Sequence, residues 1–223
     1  MKVSKTFAII GLGRFGGSVA QTLHAMGYEV LAIDKDPQRV QDMSQVLTHA
    51  VEADTTDENA LKALGIRNFD VVVVAIGSDI QASILTTLVL KEIGCPKVVV
   101  KAVNEMQGKV LNKLGADRVV FPERDMGVRV VHSLISPNIL EYIELSEDYS
   151  IIEVIASEFF DGKTLQELDI RAQFGCNVMA IKNGAKFNIA PAATDVVHKG
   201  DTLVVIGHNK DLKKLQEKTD GDE

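Results

Sequence analysis

Gly11-Leu12-Gly13-Arg14-Phe15-Gly16 lies between an apolar run, Phe7-Ala8-Ile9-Ile10, and a segment of helical character from Arg14 to Met26 that Gly27 closes. Glycines spaced G-x-G-x-x-G at a strand-to-helix turn have separate tasks. The first permits the tight turn, the second lets an anion approach the backbone, and the third lets helix and strand pack closely. The next apolar run, Glu29 to Ile33, ends at Asp34, 18 residues beyond Gly16. An acid there can accept hydrogen bonds from both ribose hydroxyls of a nucleotide. Its charge would repel a 2′-phosphate, which disfavours NADP. The free N–H groups and dipole of the helix after the loop would hold phosphate. The plainer alternative is a set of glycines that only serves a strand–helix turn.

The alternation continues. Pro37 opens a helix at its first position, where a missing N–H costs nothing. Thr48 to Ala53 reads as a strand, Asp57 caps a short helix ending at Gly65, and Val71 to Ile76 is the plainest buried strand. A helix from Ile80 to Ile93, a strand from Lys97 to Ala102, a helix from Met106 to Leu114 and a strand from Asp117 to Phe121 follow. Strands alternating with helices build a parallel sheet, and continuous Val/Ile runs fit strands covered on both faces. The expected class is α/β, with a Rossmann-like doubly wound parallel sheet over residues 1–124.

After Pro122 the pattern changes. Asp125 to Ile143 is apolar over a wider arc than a helix lying on one sheet needs, and Pro137 breaks it in two. Residues 125–145 are expected to form a crossover connector helix that packs on a second subunit or domain. A helix buried inside one domain is the alternative. Residues 146–223 read as a smaller α+β lobe. It has a strand at Ser150–Ala156, a short helix at Thr164–Leu168, and strands Asn177–Lys182 and Lys186–Ile189 around the turn signal Asn183-Gly184. A last strand, Thr202–Ile206, precedes a helix, Lys210–Glu217. The acidic tail from Thr219 to Glu223 is expected to fray.

Composition excludes several classes. With 223 residues, 46% of them hydrophobic, the chain can bury a core without disulfides or a structural metal. Cys95 and Cys176 lack C-x-x-C spacing, so the reducing cytosol is the expected compartment. A net charge of −7 leaves no basic excess to displace counterions from nucleic acid, and no nucleic-acid partner is expected. No apolar stretch approaches the roughly 18 residues that span a bilayer. Met1-Lys2-Val3-Ser4-Lys5-Thr6 lead straight into a strand, so no signal peptide is expected.

In a parallel sheet, ligands bind beyond the carboxyl ends of the strands. The third strand ends near Asp54-Thr55, which suits an adenine edge. The fourth ends in Ala75-Ile76-Gly77-Ser78, where Gly77 permits close backbone approach. Lys101 ends the fifth as a candidate phosphate ligand. Glu123 follows the sixth, and a carboxylate among phosphates makes sense if a cation lies between them; a capping or salt-bridging role is the alternative. Arg14 is extra positive charge inside the glycine loop. A dinucleotide does not need it, whereas a nucleotide with extra terminal phosphate charge would use it, in its own site or a neighbour's. A solvated surface arginine is the alternative. The candidate nucleotide site is thus Gly11, Gly13, Arg14, Phe15, Gly16, Asp34, Lys35, Asp54, Thr55, Ile76, Gly77, Lys101 and Glu123.

Catalysis finds little support. His24, His49, His132, His198 and His208 stand in no H-E-x-x-H, Cys-His or Ser-His arrangement. The C-terminal lobe offers no acid–base pair beside a substrate pocket, so a nucleotide sensor is expected rather than an enzyme. The rivals are an NAD(H)-dependent oxidoreductase or NAD(H)-sensing module, and a stand-alone adenine-nucleotide-binding protein.

Several segments coincide in order with a known family. Ile9-Ile10-Gly11-Leu12-Gly13-Arg14-Phe15-Gly16-Gly17, Asp54-Thr55-Thr56-Asp57-Glu58, Leu64-Gly65-Ile66-Arg67-Asn68-Phe69, Ala75-Ile76-Gly77, Gln81-Ala82-Ser83, Gly115-Ala116-Asp117 and Pro122-Glu123-Arg124-Asp125-Met126-Gly127 together resemble the RCK, or KTN, proteins. Within them the chain is most similar to the soluble regulatory subunits of Ktr-type potassium uptake systems, the KtrA/KtrC group. The resemblance runs from Phe7 to about Leu215. It implies an N-terminal lobe that binds ATP or ADP, with NAD(H) as the alternative, and an RCK-type C-terminal lobe. It also implies a crossover helix that pairs protomers and a ring of eight. That ring docks on the cytoplasmic face of a membrane potassium-translocating subunit of Ktr or Trk type, activated by ATP and inactivated by ADP.

By position, the resemblance implies phosphate contacts for Gly13, Arg14, Gly16 and Lys101, a ribose contact for Asp34 and an adenine-side contact for Asp54. Glu123 would help bind a divalent cation or sodium beside the γ-phosphate. Gln107 receives no role. The C-terminal lobe resembles the family's cyclic di-AMP module through Leu168, Ile170, Arg171, Asn177, Ile181 and Pro191. Its apolar residues would sandwich the bases, and Arg171 and Asn177 would meet phosphate or base edge.

Overall fold

The computed structural model describes residues 5–135 and 138–220. The chain divides after Arg124 into two compact units. The first is built from β1 (Thr6–Ile10), α1 (Arg14–Ala25), β2 (Glu29–Asp34), α2 (Pro37–Ser44), β3 (His49–Glu52), α3 (Glu58–Ala63), β4 (Val71–Val74), α4 (Ile80–Ile93), β5 (Val98–Lys101), α5 (Glu105–Lys113) and β6 (Arg118–Val120). The six strands form one sheet in the order β3-β2-β1-β4-β5-β6, and every pairing is parallel. The chain reverses its direction of travel across the sheet between β1 and β4, the topological switch point where a crevice opens.

Strand periodicity explains why both faces are covered. Ala8 and Ile10 of β1 point to one core with Ile33, Val72, Val74, Val98 and Val100, where Leu61, Leu90 and Leu111 of α3, α4 and α5 pack on them. Ile9 points the other way, with Val30, Ala32 and Val73, toward Ala20 of α1 and Met43 of α2. Leu61, Leu90 and Leu111 are fully buried, so truncating one to alanine should cost about 2–5 kcal/mol. Four helices start on a side chain that accepts from the first turn: Asp36 for α2, Asp57 for α3, Asp79 for α4 and Asn104 for α5. Helix α1 starts at Gly13 and has no such cap.

The second unit holds most of α6 (Pro122–Ile135), then β7 (Ile139–Glu144), β8 (Tyr149–Ile155), β9 (Lys163–Thr164), α7 (Leu165–Leu168), α8 (Ile170–Phe174), β10 (Asn177–Asn183), β11 (Lys186–Ile189), β12 (Val196–Val197), β13 (Thr202–His208) and α9 (Asn209–Asp220). A five-stranded sheet runs β11-β10-β13-β8-β7, with β9 and β12 as a separate pair. Its ladders are antiparallel. Ile152, Val154, Phe160, Leu203, Val205, Leu212 and Leu215 make its core.

Two sequence expectations are corrected here. The helical stretch expected through Ile143 ends at Ile135, and residues 139–144 form the edge strand β7 on β8. Ile139, Tyr142 and Ile143 are β-branched or aromatic, and a short apolar run fits either period until a neighbour is available to pair with it. The expected break at Pro137 lies outside the described residues. The hairpin turn falls one residue later than its signal: Asn183 still pairs with Lys186, leaving Gly184-Ala185 as the loop. In the tail, Thr219 and Asp220 belong to α9, and the rest lies outside the described residues, as do Met1 to Ser4.

Candidate functional site

A cleft of about 780 Å³ opens in the first unit at the carboxyl ends of its strands. Gly11 begins it with φ +91° and donates its N–H to the Ile33 carbonyl at 2.8 Å. A Cβ on Gly11 would stand 3.0 Å from the backbone of Ala75 and Ile76, and one on Gly16 would stand 1.9 Å from the Gly11 carbonyl oxygen. Packing alone demands these two glycines. Gly13 is different: among the described residues, and setting aside its chain neighbours, a Cβ there would meet only Nη1 of Arg39 within 4 Å, at 4.0 Å. The fold does not need Gly13 bare, whereas a ligand approaching the backbone does. Gly13 is also the N-cap of α1, whose first turn carries no acid. Its free N–H groups and dipole therefore remain available to an anion.

Asp34 is buried at the cleft wall. Its Oδ2 accepts the Leu12 N–H at 2.6 Å and stands 3.5 Å from Nη1 of Arg39, and its Oδ1 accepts the Asp36 N–H at 3.0 Å. The carboxylate thus ties the glycine loop to β2 as well as facing the ligand space. Its charge is balanced by Arg39, a cleft residue the sequence reading missed. The spacing Asp34-x-Asp36-x-x-Arg39, with Asp36 capping the helix, was the available signal. Asp79 was also missed. It caps α4 through the Ala82 N–H at 2.9 Å and pairs with Lys35 at 3.6 Å, bringing together two loops that line the cleft.

On the β3 side, Asp54 accepts from the Thr56 hydroxyl at 2.7 Å and the Thr56 N–H at 3.0 Å. These bonds hold its carboxyl below the usual carboxylate range, the hydroxyl contributing most. The Thr55 hydroxyl is buried against that of Thr86 at 2.9 Å. At the other end, Lys101 is largely buried, forms an ion pair with Glu123, and lies 5.8 Å from the centre of the Phe15 ring. A Cβ on Gly77 would come within 3.2 Å of the Lys101 Nζ, so the glycine makes room for the ammonium. The Lys101 hydrogen bond, with a smaller contribution from the Arg14 charge, holds the Glu123 carboxyl below its usual range. Arg14 itself is exposed.

Of the expected nucleotide residues, Gly11, Gly13, Arg14, Phe15, Asp34, Lys35, Asp54, Thr55, Ile76, Gly77, Lys101 and Glu123 line this one cleft. Gly16 does not; it packs α1 on the loop. Among the described residues, no group of three His, Cys, Asp or Glu side chains could hold a metal ion. A cation at Glu123 would therefore need further oxygens beside this carboxylate. In the second unit, Leu168, Ile170 and Ile181 are buried in the core. Arg171 and Asn177 are exposed, and Pro191 is half-buried after Ala190, whose φ is +56°.

Among the described residues no helix is long and apolar enough to cross a membrane. The TrkA-N domain family matches residues 7–122 and the TrkA-C domain family residues 149–220. The chain is 50% identical to the Ktr system potassium uptake protein C of Bacillus subtilis, over 97% of this chain and 98% of that one. It is equally identical to protein A of the same system and organism, over 96% of each chain. A crystal structure of GsuK bound to ADP is 26% identical with a TM-score of 0.50, over 59% of this chain and 34% of that one.

Proposed function

The chain belongs to the TrkA-N/TrkA-C domain family that includes the Ktr potassium uptake proteins A and C, and we propose that it is a nucleotide-sensing gating subunit of a potassium uptake system. Its ligands would be ATP and ADP. The observation that carries this reading is Gly13, bare for no packing reason, at the uncapped start of α1 and facing a cleft that Asp34 and Lys101 also line. Arg14 and Glu123, in each other's field at one end, supply opposite charges for a terminal phosphate and a bridging cation. The Ktr relatives support potassium uptake as the process, and the ADP-bound GsuK structure supports an adenine nucleotide as the ligand.

In this reading the protein acts by binding rather than by catalysis. It sits at the cytoplasmic face of the membrane through a potassium-translocating partner. Protomers pair through the connector around α6, a ring of eight forms, and exchange of ADP for ATP activates the partner. Cyclic di-AMP would inhibit through the second unit, with exposed Arg171 and Asn177 as its polar contacts. Two experiments test the proposal. Calorimetry of the full chain with ATP, ADP and NAD(H) should give the adenine nucleotides the higher affinity; a preference for NAD(H) would favour a dinucleotide sensor. Co-purification with a membrane potassium-translocating subunit, and ATP-dependent potassium flux by the pair, should follow. A chain that binds ATP yet captures no such subunit overturns the gating role.

A further inference from the structure

We propose that Arg39 is an inner-phosphate ligand of the cleft, reaching the phosphate next to the ribose, and so a determinant of affinity for every adenine nucleotide rather than of ATP over ADP. The inference rests on the nucleotide-binding reading above. Arg39 lies in the first turn of α2, where the helix dipole opposes a cation. Its position is explained by what surrounds it. Nη1 stands 3.5 Å from Oδ2 of Asp34, and Nε stands 3.4 Å from Oδ2 of Asp36. Both contacts are long, they go to two different carboxylates, and the side chain is 48% exposed. A guanidinium has five N–H donors in a planar fork. Held this loosely, it has donors to offer a ligand.

Among the described residues, and setting aside its chain neighbours, Nη1 of Arg39 is also what a Cβ on Gly13 would meet, at 4.0 Å. The guanidinium therefore borders the space that Gly13 leaves open in front of the phosphate loop. A nucleotide with its ribose at Asp34 and its phosphates on the start of α1 must pass its first phosphate between these two points, and Arg39 stands at both. Asp34 and Asp36 would otherwise present two carboxylates to that phosphate. Arg14 and Lys101 gather at Glu123 instead, and Lys35 pairs with Asp79, which leaves Arg39 as the cation beside both Asp34 and Gly13.

The test is titration of the full chain and of Arg39→Ala and Arg39→Lys with AMP, ADP and ATP, with adenosine read by competition. Arg39→Ala should lower the affinity for all three phosphates by one common factor of about tenfold, the low end for a hydrogen bond to a charged group. The ATP-to-ADP ratio and the adenosine affinity should stay as in the parent chain, and Arg39→Lys should recover part of the loss. If adenosine weakens equally, Arg39 acts by holding Asp34 and the proposal fails. Loss confined to ATP, or no loss, also overturns it. If Arg39→Ala does not melt cooperatively, Arg39→Lys and Arg39→Gln carry the same comparison. A parent chain that binds none of the three phosphates refutes the nucleotide-binding reading itself, before any substitution is compared.

Discussion

The backbone N–H of Leu12 donates to Oδ2 of Asp34 at 2.6 Å. The loop that would hold phosphate and the acid that would hold ribose are thereby one hydrogen-bonded unit, joined across β1 and β2. A ligand that engages Asp34 also acts on the loop, and a change at Asp34 is felt in both places.

Asp34→Ala should accordingly do two things. Binding of ATP and ADP should weaken by roughly 1.5–3 kcal/mol, the range for hydrogen bonds to a charged group. The unliganded protein should also melt at a lower temperature, because the Leu12 N–H loses its buried acceptor. Calorimetry and a thermal melt check the two separately, and an unchanged melting temperature would mean that the Leu12 bond adds nothing. The parent chain should bind ATP and ADP far more tightly than NADP. Equal affinity for NADP would show that Arg39 outweighs the acid.

Two of the fingerprint glycines should separate in the same way. Gly16→Ala forces a Cβ to within 1.9 Å of a carbonyl oxygen, a backbone clash that should destabilise the fold by at least about 1–3 kcal/mol. Gly13→Ala meets only the flexible Arg39 guanidinium, at 4.0 Å, and should leave stability within about 0.5 kcal/mol while weakening nucleotide binding. Chemical unfolding and ligand titration on the pair decide this. Equal stability loss in both variants would remove the argument that Gly13 serves the ligand.

This separation shows how far the sequence could be read. The G-x-G-x-x-G spacing and Asp34 announced the crevice because glycine position and strand-end acid are local requirements, written in consecutive residues. The parallel sheet was legible for the same reason, since each βα unit carries its own period. Arg39 and Asp79 were not, because their importance comes from loops that approach each other only in the folded sheet. Residues 139–144 were misread as helix because their apolar spacing suits both periods, and pairing with β8 decides between them. The burial of Leu168, Ile170 and Ile181 was hidden likewise: a short apolar cluster does not say whether it faces a core or a ligand.

Arg14→Ala should keep ADP binding and lose most of the distinction between ATP and ADP. Arg14 is exposed at the first position of α1, so the fold should tolerate the change, and its charge reaches the Glu123 end of the cleft. Parallel titrations with the two nucleotides check this. A variant that discriminates as well as the parent chain makes Arg14 a surface residue only.

Glu123 gives a prediction with a sign. Its carboxyl is held below the usual range by Lys101, so the folded state binds protons there less readily than the unfolded chain. The stabilisation is present in full above the unfolded value of about 4.3 and is lost as pH falls through the lower folded value. Glu123→Gln should flatten that part of the acid limb in melts between about pH 3 and 5. The size will be small, because the Glu123 side chain is 68% exposed and solvent screens the pair. The same variant should weaken cation-dependent ATP binding, since the amide keeps the shape but not the charge. Unchanged divalent and sodium dependence would leave Glu123 as a salt-bridge partner of Lys101.

The second unit permits a sharper test of cyclic di-AMP than its sequence suggested. A two-fold ligand suits a two-fold pair of protomers, each supplying one half of the site. Of the apolar residues expected to meet the bases, Leu168, Ile170 and Ile181 are core residues, with Ile170 only 4% and Leu168 1% exposed, whereas Pro191 is half-buried. Ile170→Ala should therefore destabilise the unit by about 2–5 kcal/mol, whatever it does to the ligand, and is a poor probe of binding. Arg171 and Asn177 are exposed, so the double variant Arg171→Ala, Asn177→Ala should fold normally. The guanidinium fork suits phosphate, and its removal together with the amide should abolish measurable binding. Titration of the full chain with cyclic di-AMP, before and after the double substitution, reads this directly. No binding by the parent chain removes the ligand. Binding that survives in the double variant keeps the ligand and moves its site elsewhere in the second unit, where the strained Ala190-Pro191 step is the next place to substitute.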